Sequence, residues 1–150
     1  MNLSTNFTLD ELTKSQTAER KGIDNIPNAD AIYNLGHLAE NILQPIRNQF
    51  GSFIVSSGYR SVALCEAIGS KATSQHGHGM ASDFEVAGID NYDLALWIQE
   101  NLTFDQLILE CYKPGQTNSG WIHCSSAISP RKDLLTYDRT RGYRRGLIRD

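Results

Sequence analysis

Two short segments of this chain hold residue types that bind metal ions. The first is Ser74-Gln75-His76-Gly77-His78-Gly79-Met80-Ala81-Ser82-Asp83 and the second is Trp121-Ile122-His123-Cys124-Ser125. A catalytic zinc takes three protein ligands, drawn from histidine and carboxylate, and keeps one position open for water. Asp83 and one histidine of the first segment, with His123 of the second, supply such a set. His76 and His78 both qualify, since an extended loop puts them on one face. Two further residues complete the chemistry. Glu110 is a carboxylate able to take a proton from water and return it to a leaving amine. Arg60 offers a planar fork for a substrate carboxylate or a developing oxyanion. Together they amount to metal-assisted hydrolysis.

These residues need elements to carry them. Thr8-Leu9-Asp10-Glu11 reads as a capping box that starts a short helix. From Ala29 to about Gln49, Ile32, Leu35, Leu38, Ala39, Ile42, Leu43 and Ile46 recur at helical spacing, and Pro45 should kink or end that helix. Ser52–Ser56 is a strand candidate, followed by a turn at Ser57–Ser61 and a short helix through Val62–Ile68. Residues 69–79 read as a loop, 80–86 as a strand, and 91–101 as a helix with Leu94, Ala95, Trp97 and Ile98 apolar. Strands at 106–112 and 120–125 flank a turn-rich link. Helices first and a mainly antiparallel sheet after them make the class α+β. A loop centred near Gln116-Thr117 pairs Glu110 directly with His123, and opposite residues share a face. Ile108, Tyr112 and Trp121 join that face, with Trp121 as a wall of the site. Leu107, Leu109, Cys111, Ile122 and Cys124 then point into the core. Tyr59 and Tyr112 are further candidates for the cleft.

The pattern Ser74-x-His76-x-x-Gly79-x-Ala81-x-Asp83, with Gly58-Tyr59-Arg60-Ser61 upstream and Trp121-x-His123 downstream, resembles the M15 peptidases. That group comprises zinc D-alanyl-D-alanine carboxypeptidases and dipeptidases and shares its fold with Hedgehog signalling domains. The matching stretch runs from about Phe53 to Ser125. The resemblance implies Zn2+ held by His76, Asp83 and His123, which leaves His78 off the metal. It supports Arg60 as electrophilic helper and leaves Ser74 to bond substrate or orient the loop. By the spacing of Glu110 to Trp-Ile-His, the chain is most similar to the compact domains of phages and bacterial wall lysis. A peptidoglycan stem peptide is then the implied substrate. Many members carry a Glu three residues before the last histidine; here that position is Gly120, so Glu110 becomes the candidate base. A second reading is a non-catalytic zinc module that binds wall or protein. A third is a component of a phage virion.

The bulk properties agree with one domain over residues 1–150, expected to act as a monomer and able to bury a core without disulfides. A net charge of −3 argues against a nucleic-acid binder. Charge is uneven: residues 131–150 hold seven Lys/Arg against three acids. That basic tail reads as a solvated terminal segment, or as a device for steering to an anionic surface. Three cysteines with no CxxC spacing point to a reduced compartment at synthesis. The opening residues show no signal-peptide pattern, and no apolar stretch is long enough to span a membrane. The expectation is a protein made in the cytoplasm that reaches the wall after release or within a virion.

Overall fold

The computed structural model describes residues 1–71 and 74–150; Ala72 and Thr73, part of the loop expected over 69–79, lie outside them. The capping box forms: Thr8 Oγ1 accepts from the Glu11 amide at 3.2 Å, and Glu11 Oε1 accepts from the Thr8 amide at 3.0 Å. It starts α1 (Leu9–Thr13), and Ser15 caps α2 (Gln16–Lys21). The long helical pattern is a continuous run of α3 (Ala29–Leu38), a π-helical turn (Ala39–Leu43) and α4 (Gln44–Phe50). Pro45 does not end it. A proline lacks the amide and crowds the carbonyl four residues back, and the helix absorbs both by widening in the turn just before it. Leu35, Leu38, Ile42, Leu43 and Ile46 line the buried stripe with no exposed surface.

The sheet has six strands: β1 (Val55–Ser57), β2 (Ala81–Phe84), β3 (Gln106–Glu110), β4 (Trp121–Ser125), β5 (Asp133–Asp138) and β6 (Gly142–Arg145). Their order is β1-β2-β4-β3-β5-β6, and every neighbouring pair is antiparallel except β3 with β5. The class is therefore α+β, as the order of elements implied. Two more helices, α5 (Val62–Ala67) and α6 (Asn91–Asn101), complete the layer, with the second at its expected limits. On one sheet face Phe84, Leu107, Leu109, Ile122 and Cys124 are fully buried against the long helix and the Leu94, Ala95, Ile98 side of α6. Strand alternation turns Asp83, His123, Glu110 and Trp121 to the other face.

The hairpin register differs from the expected one. Ile108 lies opposite His123 and Glu110 opposite Trp121. The cause is local. Gly120 has φ 69° and faces the end of β3, where any side chain would collide with the Glu110 carbonyl and the Tyr112 amide. Only that alignment gives the close approach a glycine. Cys111 takes φ 56°, which ends β3 at Glu110, two residues before the expected limit. The alternation therefore breaks there: Cys111 is half-exposed, not core, while Tyr112 is buried in the core, not on the metal face. Tyr59 is also buried within the core cluster.

The basic tail is not a solvated terminal segment. Leu134, Leu135, Thr136 and Tyr137 build β5, a three-residue turn follows, and β6 returns beside it. Gly142 at φ 70° supplies the left-handed residue that such a turn uses. At the entry to β5 sits a clasp. Asp105 is 3% exposed and accepts from the Arg131 amide at 2.9 Å, from Arg131 Nη2 at 2.7 Å and from Gln75 Nε2 at 2.8 Å. It joins the tail to the residue that precedes His76.

Burial alone would raise the Asp105 pKa, but the bonds from Arg131 and Gln75 outweigh it and hold the carboxyl below its usual range. A lowered pKa contributes stability that is present above the unfolded value of about 3.9 and is lost as pH falls through the folded one. Asp105→Asn should cost about 1–2 kcal/mol at pH 7, less than for a fully buried pair because Arg131 stays largely in water. The gap to the unaltered protein should close as pH falls from about 5 to 3. Urea unfolding with chelator present measures it, and a gap independent of pH would rule out the ionised clasp.

Candidate metal centre

Ser74 Oγ accepts from the His76 amide at 3.2 Å and starts a 3-10 turn over Gln75–His78. Gly79 closes that turn at φ 73°, pressed so tightly on the Ala31 carbonyl of α3 that no Cβ fits. This explains the His-x-x-Gly spacing: the glycine lets the turn dock on the long helix. Three residues per turn place His78 away from the His76 direction. His76 is 3% exposed, while His78 lies in solvent with its carbonyl accepting from Asn34. Ser74 thus orients the loop.

His76 Nδ1 is 2.7 Å from the Gly58 carbonyl. A carbonyl only accepts, so Nδ1 carries the proton and Nε2 presents its lone pair. That lone pair faces Asp83 Oδ2 at 3.4 Å. Asp83 lies directly opposite His123 across β2 and β4, with His123 Nδ1 2.9 Å from Asp83 Oδ1. One donor atom from each of His76, Asp83 and His123 lies within 4.8 Å of the others. Ligands around one tetrahedral zinc stand roughly 3.4 Å apart, given bonds of about 2.1 Å. The donor set and its spacing therefore fit a single zinc ion. Burial works against the charge on Asp83, yet the hydrogen bond from His123 and the imidazoles packed beside the carboxylate more than offset it and hold the group well below the carboxylate range.

The neighbouring groups are held in turn. Arg60 Nη2 meets Asp83 Oδ2 at 3.2 Å, and Arg60 Nε donates to Ser57 Oγ at 2.8 Å. Glu110 stands one row along the sheet face from His123, with Trp121 Nε1 donating to its Oε2 at 2.9 Å. Burial and the nearby charge of Asp83 raise the Glu110 pKa above its ordinary value, against smaller opposing contributions from His123, Trp121 and Arg60. Cys124, beside His123, points the opposite way and is fully buried, and burial pushes its thiol pKa up. A cleft of about 740 Å3 opens beside Arg60, Ser57 and Tyr59, reaching Lys14 and Arg20.

Sequence reasoning missed the supports: the Gly58 carbonyl, Ser57, and the Asp105–Gln75 link. A backbone carbonyl has no signature in sequence. It also missed Tyr137 and Tyr143, which the β-prone run Leu134-Leu135-Thr136-Tyr137 and the Asp-Arg-Thr-Arg-Gly turn could have announced.

An α+β fold that brings two histidines and an aspartate to neighbouring positions on one sheet face offers the donor set that catalytic zinc sites use. The chain itself is a member of the Peptidase M15 family, whose model matches residues 5–125. That family consists of zinc peptidases. No curated protein matches this chain. The match stops before β5, so the β5–β6 hairpin lies beyond it.

Proposed function

We propose that this protein hydrolyses peptide bonds in peptidoglycan stem peptides, with zinc held by His76, Asp83 and His123. The observation that carries the reading is the convergence of those three donors with a partly buried Glu110 on the same sheet face. Zinc bound there supplies Lewis acidity, which polarises a carbonyl and acidifies water. Glu110 takes the proton of the attacking water and hands it to the leaving amine. Its raised pKa suits a group that must do both. Trp121 fixes the carboxylate through its indole N–H and walls the site. Arg60, already fixed by Ser57, grips a substrate carboxylate or the oxyanion. Ser74 keeps His76 in place through the turn it caps. The chain works as one domain over residues 1–150 and, on this reading, as a monomer.

No helix among the described residues is long and apolar enough to cross a membrane. Access to the wall follows release from the cell or delivery within a phage particle. The test is digestion of purified peptidoglycan by the zinc-loaded protein, with fragments identified by mass spectrometry. New peptide termini are expected, and Arg60→Lys should slow their release because an ammonium cannot reproduce the planar fork. Intact stem peptides after prolonged digestion would rule the substrate out. Cleavage unchanged in Arg60→Lys would reduce that residue to a structural ion pair.

A further inference from the structure

The metal face continues across the sheet beyond Glu110. Strand pairing sets two adjacent rows upon it. One runs His123, Ile108, Leu135, Arg145; the other runs Trp121, Glu110, Tyr137, Tyr143. The Tyr137 and Tyr143 rings lie 4.6 Å apart at 45°. Tyr143 is 61% exposed, and Arg145 is exposed and makes no ion pair among the described residues. In the same segment Arg131, Arg141 and Arg144 pair with aspartates, whereas Arg145, like Lys132 and Arg139, does not among the described residues. The chain after β6 leaves this face open. Leu147 packs against the core, and Arg149 lies over the Tyr92 ring of α6 on the opposite side.

We propose that this face of β3, β5 and β6 is a binding platform for the distal part of the substrate, an extended peptide whose acidic group meets Arg145 about four residues from the bond that is cut. The length follows from geometry. Three strand steps of about 4.8 Å separate β4 from β6, roughly 14 Å, and an extended peptide covers about 3.4 Å per residue. The chemistry follows from the rows. Leu135 and the two tyrosine rings offer apolar and aromatic surface over the buried Ile108, and Arg145 ends it with an unpaired cation. Glu110 repels a second carboxylate near the metal, so the acid is directed to the far end. The cross-strand tyrosine pair also stabilises the hairpin, but that role needs neither the exposure of Tyr143 nor an unpaired arginine beside it. The inference rests on the peptidase reading and adds to it a length and charge preference carried by residues beyond the family match.

The experiment uses the full chain and separates binding from cleavage. The probes are acetylated alanine hexapeptides with one terminal-side Glu, placed at either end, their Gln counterparts, and acetyl-Ala-Ala. Binding to chelator-treated protein is followed by tryptophan fluorescence, since Trp121 lies in the row. A Glu hexapeptide should bind about fivefold tighter than its Gln counterpart, the size of one rim charge pair. Arg145→Gln should abolish that preference. Tyr143→Ala should weaken both hexapeptides and leave the dipeptide unchanged. Arg145→Gln should leave the melting temperature near the parent value, and Tyr143→Ala, which loses one cross-strand pair, should lower it by no more than about a few degrees. Equal binding of Glu and Gln peptides, or losses shared by the dipeptide, would overturn the platform. So would a response to chitin oligosaccharide in place of the acidic peptide. If the hexapeptides bind as expected while zinc-loaded protein cleaves neither them nor peptidoglycan, the platform stands and the hydrolytic reading fails.

Discussion

Glu110→Gln protein should keep its zinc and lose turnover by roughly 10²–10⁴-fold, the usual contribution of a positioned acid–base group. The substitution preserves size, and the amide can still accept from the Trp121 indole, so the local packing holds. What it removes is the capacity to take a proton. Substrate affinity should change far less, because the lost interaction belongs mainly to the transition state. The pH profile adds a second check. Burial and Asp83 raise the Glu110 pKa, so the acidic limb of kcat/KM should sit above the ordinary glutamate value in the parent protein. Below that limb Glu110 is protonated and idle; above it the base is available. In the variant the limb should move or vanish. Near-normal turnover by metal-loaded Glu110→Gln protein would remove the assignment.

The second large effect concerns the ligands. His123→Ala should weaken zinc binding by more than about 100-fold, since even the loss of a group behind a ligand costs up to that much. His78→Ala should leave zinc content unchanged, because that side chain points to solvent and is absent from the donor cluster of the described residues. Chelator competition followed by elemental analysis reads both without any substrate. The fold should survive His123→Ala, since the core face of β4 is carried by Ile122 and Cys124. Full zinc retention in His123→Ala would take that residue out of the ligand set. Zinc loss in His78→Ala would put it in.

Much of this protein was legible from the chain alone. The short apolar runs of β3 and β4, the periodic run from Ala29, and the limits of α6 follow from local patterning, because burial dictates residue type position by position. The two segments that carry His76, Asp83 and His123 were equally plain, and so was the face on which Asp83 lies. The tertiary structure decided the rest. The two-residue difference in hairpin register came from the contact of Gly120 with the end of β3, and register is a property of two strands rather than one. Because that difference is even, Glu110 kept its face although its partner changed from His123 to Trp121. The resemblance alone selected His76 over His78; the physical reason for the preference lies in the 3-10 turn and the Gly58 carbonyl, neither of which has a residue-type signature. The tail shows the same limit most clearly. Its charge count described side chains facing solvent and aspartates, while its place in the sheet was set by parallel pairing of β5 with β3 and by the buried clasp of Arg131 on Asp105, contacts between residues some 26 apart in the chain.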